Sequence, residues 1–162
     1  MEKLKFPHIG YRNIKTAISV LICLIFWPNS LFAAIAAIIC MQDTVENSIK
    51  TGINRLIGTL LGGIIGAILL FTINRFNLSS FSPIISAIGV SLIIYLCNLI
   101  KKPAACSIAS IVLISIIISP SYDDPLTYSI RRTIETAFGI IIAIIINKYI
   151  NPPEDKKIDK TK

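Results

Sequence analysis

A short pattern of one arginine, one threonine and one glycine occurs twice in the chain, and the two copies lie 77 residues apart. Its members are separated by four and then three residues, which places the three side chains on one face of a helix. A guanidinium group and a hydroxyl group on one helix face can both donate hydrogen bonds to a carboxylate. The pattern therefore predicts an anion-binding surface in each copy. Its members are Arg55, Thr59 and Gly62 in the first copy and Arg132, Thr136 and Gly139 in the second.

The position of each arginine at the beginning of an apolar stretch adds to this prediction. We expect both arginines to lie in the first turn of their helices, where the macrodipole is positive and backbone N–H groups are free. An anion would then meet the backbone and the guanidinium together. The hypothesis assigns carboxylate binding to Arg55 and Arg132, and supporting hydrogen bonds to Thr59 and Thr136.

Three further ionisable residues are candidates for coupling or gating. Glu135 occupies the position that Gly58 holds in the first copy. It lies inside an apolar stretch, where an unpaired charge costs about 2.5–3.5 kcal/mol or more. Arg131 precedes it by four residues and Arg132 by three, so an ion pair with either arginine that merely holds the helix end is the alternative. Asp43 lies in a polar hinge between two apolar stretches.

The composition indicates that membrane helices position these residues. Hydrophobic residues make up 54% of the 162 residues, with a mean hydropathy of +0.74. Soluble domains contain roughly 45–50% apolar residues, and a helix needs about 20 of them to cross the hydrocarbon. Six charge-poor stretches are candidate spans and predict an all-α, polytopic membrane protein. They are 14–27, 31–41, 53–73, 81–100, 103–119 and 129–150.

The basic residues lie between these stretches and not on one amphipathic face, so the net charge of +7 does not indicate nucleic-acid binding. With the N-terminus in the cytoplasm, thirteen lysines and arginines fall inside and three fall outside. This bias follows the positive-inside rule. We expect a multi-pass protein of the bacterial cytoplasmic (inner) membrane, with both termini in the cytoplasm. A role as a simple cytoplasmic anchor is open for Arg55, and it suits the external Arg131 and Arg132 less well.

The first residues and the second span have features of their own. Residues 1–13 mix basic with apolar side chains, which predicts a cytoplasmic interfacial segment. A signal peptide cleaved near 34–36 is the alternative, but that cleavage would destroy the second span. The second span has only eleven residues. Short interrupted segments at membrane depth are typical of transport sites.

Glycine spacing and the repeated pattern together predict two structural repeats. Gly58, Gly62 and Gly66 recur every four residues, a spacing that lets helix backbones pack closely, and Gly139 is the counterpart of Gly62. Three spans per repeat is an odd number, so the copies must cross the membrane in opposite directions. The predicted fold is six transmembrane helices as a 3+3 inverted repeat. Its parts are repeat one at about 14–74 and repeat two at about 81–150, within a transmembrane domain 14–150, followed by a charged cytoplasmic tail 151–162.

Three stretches are distinctive as sequence: GYRNIKTAISV at 10–20, FAAIAAIICMQDTVENSIKTGINRLIGTLLGG at 32–63 and RRTIETAFGIIIAIIIN at 131–147. They resemble the membrane domain of the bacterial aromatic acid exporter family, within the broader fusaric acid resistance (FUSC) group. Plant aluminium-activated malate transporters are similar more distantly. The resemblance implies a six-helix membrane domain that passes organic anions, in bacteria as efflux, with Arg55 and Arg132 beside the path. Fuller members of the family usually continue into a soluble cytoplasmic domain.

The leading hypothesis is therefore an inner-membrane carrier or channel for efflux of organic carboxylate anions, aromatic ones included. The alternative is a non-transporting membrane subunit or assembly module that needs a separate soluble partner. Expected partners are membrane lipid, a small organic anion and further copies of this chain, as a dimer or higher oligomer, without nucleic acid. We expect no cofactor and no metal, since His8 is the sole histidine and no two cysteines form a Cys-x-x-Cys pair. No nucleophile with a base and no phosphate loop indicates an enzyme.

Overall fold

The computed structural model describes residues 10–118 and 125–150, and these residues form α-helices and short 3₁₀ turns without a strand. The expectation of an all-helical fold is confirmed. The tail 151–162 and residues 1–9 of the interfacial segment lie outside the described residues. The helices are α1 (Tyr11–Phe26), α2 (Leu31–Cys40), α3 (Val45–Arg75), α4 (Ser82–Leu99), α5 (Cys106–Ile118) and α6 (Pro125–Tyr149), and 3₁₀ turns at Ser79–Phe81 and Pro103–Ala105 precede α4 and α5.

The described helices differ in their fit to a bilayer. Two are long and apolar enough to cross a membrane, namely α3 and α4 with its preceding turn (Ser79–Leu99). The α2 helix and the segment Pro103–Ile118 are shorter and equally apolar. Large apolar side chains such as Leu21 and Phe71 lie on the surface, 59% and 68% exposed. Such a surface suits lipid better than water.

Side-chain caps explain where α2 and α3 begin. The Ser30 hydroxyl accepts a hydrogen bond from the Ala33 amide at 3.3 Å, and the Thr44 hydroxyl accepts one from the Asn47 amide at 3.2 Å. Each cap satisfies a backbone donor that the first helical turn would leave free. Asn29, in the turn before α2, has a φ of 67°, which asparagine tolerates better than most residues.

The cap at Thr44 corrects one expectation. The α3 helix begins at Val45 and not near residue 53, so Arg55 follows the helix start by ten residues. The α6 helix begins at Pro125, so Arg132 follows its start by seven residues. Arg55 therefore lies nearly three turns and Arg132 nearly two turns after the helix start. The expectation that they lie in the first turn, beside free backbone N–H groups, is wrong because the polar residues before each apolar stretch are also helical.

Helices α3 and α6 form the central pair of the fold. The α5 helix packs mainly against α3, and α2 packs mainly against α6. The α1 helix packs against α2 and α6, while α4 packs against α5 and α3. One apolar core therefore lies among α1, α2 and α6, and a second lies among α3, α4 and α5.

Glycines allow these helices to approach closely. A Cβ atom at Gly62 would collide with the carbonyl oxygen of Ala109 in α5, and a Cβ atom at Gly139 would collide with that of Ala33 in α2. Gly58 and Gly66 also face α5 and its preceding turn. The equivalent glycines of the two sequence copies thus make equivalent contacts, Gly62 with α5 and Gly139 with α2.

Candidate functional site

The two sequence patterns lie on the central helix pair, which is antiparallel. Near one end, the Ser129 hydroxyl donates to the Gly63 carbonyl at 3.1 Å. Near the other end, the Asn147 amide nitrogen donates to the Ser48 hydroxyl at 2.8 Å. Between these contacts, Ile140 fills the space next to Gly52.

These contacts define the face of each helix that meets the other. On α3, Arg55 and Thr59 fall in the same row as Gly63, because residues four apart share a face. On α6, Thr136 falls in the same row as Ile140, whereas Arg132 lies beside Phe32 of α2. Along the antiparallel pairing, Arg55 and Thr136 are at similar heights, and so are Thr59 and Arg132, within about one helical turn. The structure therefore places Arg55, Thr59 and Thr136 on the facing sides of α3 and α6, and places Arg132 next to α2.

Arg55 is a buried cation with an unsatisfied nitrogen. The residue is 7% exposed, and its Nε atom is buried without a hydrogen-bond partner in the described part of the chain. The Thr59 hydroxyl donates to the Arg55 carbonyl at 2.9 Å, so its single proton is directed to its own helix. In this conformation Thr59 can accept from a ligand but cannot donate to one.

Arg132 is held by two aromatic rings. Its guanidinium carbon lies over the Phe32 ring and, at 4.5 Å, over the Tyr128 ring, and Nη2 donates to the Tyr128 hydroxyl. Cation–π contacts of this kind orient a guanidinium without neutralising its charge. Arg132 therefore keeps its positive charge available for an anion.

Glu135 forms the ion pair that its spacing allows. The Arg131 Nε atom lies 3.3 Å from the Glu135 Oε1 atom. The two side chains differ in exposure, 62% for Arg131 and 8% for Glu135. The carboxylate is thus buried while its partner reaches the surface. Loss of this pair would leave a buried carboxylate without its counter-charge, which is costly.

A cavity of about 220 Å³ lies at the beginnings of α2 and α6. Two arginines, one carboxylate and two aromatic rings surround it, so it combines a carboxylate-binding group with flat apolar walls. We call it the Arg132 cavity. It is lined by Asn29, Leu31, Phe32, Tyr128, Arg131, Arg132 and Glu135.

Asp43 lies apart from this cavity. It follows the C-terminal end of α2, whereas the cavity lies at the beginning of α2. Its carboxylate is 3.3 Å from Arg12 Nη1, and both side chains are exposed, at 77% and 54%. Surface pairs of this kind contribute little to stability. The structure therefore brings Glu135 and Arg131 to the cavity, and does not bring Asp43 to it.

A buried polar cluster at the other end of α6 was missed by the sequence analysis. The Lys15 ammonium donates to Asn147 Oδ1 at 3.1 Å, and Asn147 Nδ2 donates to the Gln42 carbonyl at 2.9 Å and to Ser48. Lys15 is only 7% exposed. The signal that could have found it is a lysine and an asparagine each bordering an apolar stretch. Among the described residues, no group of histidine, cysteine and carboxylate side chains could hold a metal.

Comparison with known proteins gives a match over most of the chain. Residues 7–150 match the family described as aromatic acid exporter family member 1. A UPF0421 protein of Halalkalibacterium halodurans is 30% identical over 156 residues, covering 93% of this chain and 42% of that protein. A UPF0421 protein of Bacillus cereus is 29% identical, covering 92% and 41%, and one of Staphylococcus epidermidis is 26% identical, covering 90% and 44%. The chain spans less than half the length of these relatives. No solved structure matches it.

Proposed function

The chain belongs to the aromatic acid exporter family, and from that premise we propose that it exports organic carboxylate anions, aromatic ones among them, across the inner membrane. Membership of an exporter family indicates membrane transport and not catalysis. The two long apolar helices agree with a membrane location.

The observation that carries the proposal is the composition of the Arg132 cavity. A carboxylate is recognised best by a guanidinium fork, and Arg132 is oriented there with no carboxylate of the described residues within ion-pair distance. Phe32 and Tyr128 provide ring surfaces on which an aromatic substrate can stack. The cavity therefore suits a small molecule with one flat apolar part and one anionic group.

Arg55 supports a route that continues from this cavity into the bundle. It lies on the α3 face that meets α6, the helix that carries Arg132, and its buried Nε lacks a partner in the described residues. A buried charge is costly unless a partner compensates it. In the proposal the transported carboxylate is that partner, and during export it passes from Arg55 to Arg132.

We further propose that the six helices all cross the membrane as a 3+3 inverted repeat with both termini in the cytoplasm. The antiparallel central pair and the matching contacts of Gly62 with α5 and of Gly139 with α2 support this arrangement. The test is accessibility of single cysteines along 41–58 and 118–135 to an impermeant maleimide. Labelling of both segments from the same side would overturn the inverted repeat.

The functional test is benzoate flux in vesicles containing the full 162-residue chain. Arg132→Ala should abolish flux while expression and helicity are unchanged, because it removes the guanidinium from the cavity. Arg132→Lys should restore flux only in part, since an ammonium lacks the planar fork. Arg75→Ala is the matched control, because Arg75 is an exposed arginine at the last residue of α3. Full flux in Arg132→Ala would contradict the proposal.

The alternative function is a membrane subunit that does not transport alone. The chain aligns to 41–44% of the length of the UPF0421 relatives, so what those whole proteins do is for this chain a matter of proposal. Co-purification with a separate soluble protein, together with flux only when both are present, would support this function. Flux from the chain alone would exclude it.

A further inference from the structure

A second buried cation lies at the end of α6 far from the Arg132 cavity. Lys15 of α1 is 7% exposed, and its ammonium donates one hydrogen bond, to Asn147 Oδ1 at 3.1 Å. Asn147 and Arg132 are fifteen residues apart on α6, which separates them by roughly 22 Å along the helix. Arg55 lies between them in height. Lys15, Arg55 and Arg132 thus lie at three successive heights along the central helix pair.

The charge of Lys15 is not balanced by a carboxylate of the described residues. The ion pairs of the described chain join Arg12 to Asp43 and Arg131 to Glu135, so no described carboxylate is within ion-pair distance of Lys15. An ammonium has three N–H donors, and the bond to Asn147 uses one. Burying a cation against one neutral amide is unfavourable, because the desolvation cost is not repaid by an opposite charge.

The neighbouring polar groups are arranged around the same point. Ser48 is completely buried, and its oxygen accepts from the Gln42 amide at 3.1 Å and from Asn147 Nδ2 at 2.8 Å. Within the described residues its own hydroxyl proton has no acceptor. Lys15 and Ser48 therefore both have donors to spare. The acceptor that Lys15 does have, the amide oxygen of Asn147, has the geometry of one oxygen of a carboxylate.

We propose that Lys15 and Ser48 form a second subsite for a carboxylate anion, which the side chain of Asn147 occupies in this conformation. The inference rests on the proposed transport function. When this end of the bundle opens, the carboxylate of the transported molecule replaces Asn147 Oδ1 and accepts from Lys15 and Ser48. A charged acceptor forms a stronger hydrogen bond with an ammonium than an amide does, so the exchange favours the anion. The anion then meets a cationic binding residue at each end of its path, Lys15 at one end and Arg132 at the other.

Ligand-dependent thermal stabilisation of the full chain in detergent tests this subsite. Arg132→Ala combined with Arg55→Met is the starting variant, since it removes the other two cations that the proposal places on the path and leaves Lys15. Benzoate should still raise its Tm relative to equimolar sodium chloride, because a ligand that binds the folded state stabilises it. Adding Lys15→Gln should raise the benzoate concentration needed for the same Tm shift about tenfold or more, as expected for loss of a charged hydrogen bond. Adding Lys50→Gln should not, because Lys50 is an exposed lysine on α3.

A second variant keeps the test decisive if Lys15→Gln does not fold. Asn147→Asp places a fixed carboxylate in the subsite, so it should raise the Tm without ligand and remove the benzoate shift from the protein that carries Arg132→Ala and Arg55→Met. The inference is overturned if benzoate gives the same shift with and without Lys15, or if sodium chloride acts as well as benzoate. Absence of benzoate flux in the unsubstituted chain would instead contradict the proposed function, so the two failures are distinguishable.

Discussion

Replacing Arg55 with methionine should make the protein more stable and less active. Arg55 is 7% exposed and its Nε is buried without a partner in the described residues. Removing an unsatisfied buried donor recovers its desolvation cost, about 1–3 kcal/mol. Methionine fills a similar volume with an unbranched apolar chain. We therefore expect the free energy of unfolding to rise by about 1–3 kcal/mol in Arg55→Met, and the Tm by about 2–12 °C for a chain of this size.

The activity of the same variant should move in the opposite direction. If the transported carboxylate is the partner that Arg55 lacks, Arg55→Met loses a charged hydrogen bond of about 1.5–3 kcal/mol, and flux falls roughly 10- to 100-fold. The two assays are thermal unfolding in detergent and benzoate flux in vesicles. Arg75→Met is the control, because Arg75 is exposed and surface substitutions usually change stability by less than about 0.5 kcal/mol.

Two results would refute the reasoning. A lower Tm in Arg55→Met would mean that the arginine already has a stabilising partner in the folded protein. Unchanged flux would mean that no anion uses Arg55. A purely structural arginine predicts loss of stability together with loss of flux, so the opposed changes in the two assays separate a transport role from a packing role.

Three further substitutions test the other parts of the site. Glu135→Gln should change the free energy of unfolding by less than about 1 kcal/mol, because Arg131 is largely exposed. If the carboxylate couples protons to transport, the same variant should flatten the pH dependence of flux. A preserved pH profile would exclude that coupling. Gly139→Ala should lower the free energy of unfolding by about 1–3 kcal/mol in thermal unfolding, since its Cβ would strike a backbone carbonyl. Gly10→Ala is the control and should cause no such loss, because a Cβ at Gly10 would have no neighbouring atom within 4 Å. Phe32→Leu should raise the KM for benzoate more than that for acetate, and equal changes would argue against ring stacking.

The helical fold could be predicted from the sequence because the apolar stretches are long and sparsely charged. The beginning of α3 could not be predicted in the same way. Residues 45–52 are mostly polar, and they are helical because Thr44 caps the helix and because Ser48 and Gly52 lie at the interface with α6. Those contacts come from residues about 90 positions further along the chain, so local composition does not reveal them.

The site residues stay a prediction, and one part of their expected geometry is wrong. The repeated pattern places Arg55 and Arg132 on the two central helices, where Arg132 contacts Phe32 of α2. The helix-start argument for anion binding failed, since both arginines lie beyond the first turn. Any anion binding by these residues would therefore use the guanidinium groups and not free backbone N–H groups. Lys15 was missed because its partner Asn147 is 132 residues away.

The two sequence copies differ in their packing at one position. In the first copy, Gly58 lets Ala105 and Ile108 approach so closely that a Cβ atom would lie 2.8 Å from the Ala105 carbonyl oxygen. In the second copy, Glu135 stands at the equivalent position and lines the Arg132 cavity. A carboxylate side chain needs space and a counter-charge, and it obtains them from the cavity and from Arg131. The position at Gly58 is therefore closed by packing, and the position at Glu135 borders a cavity.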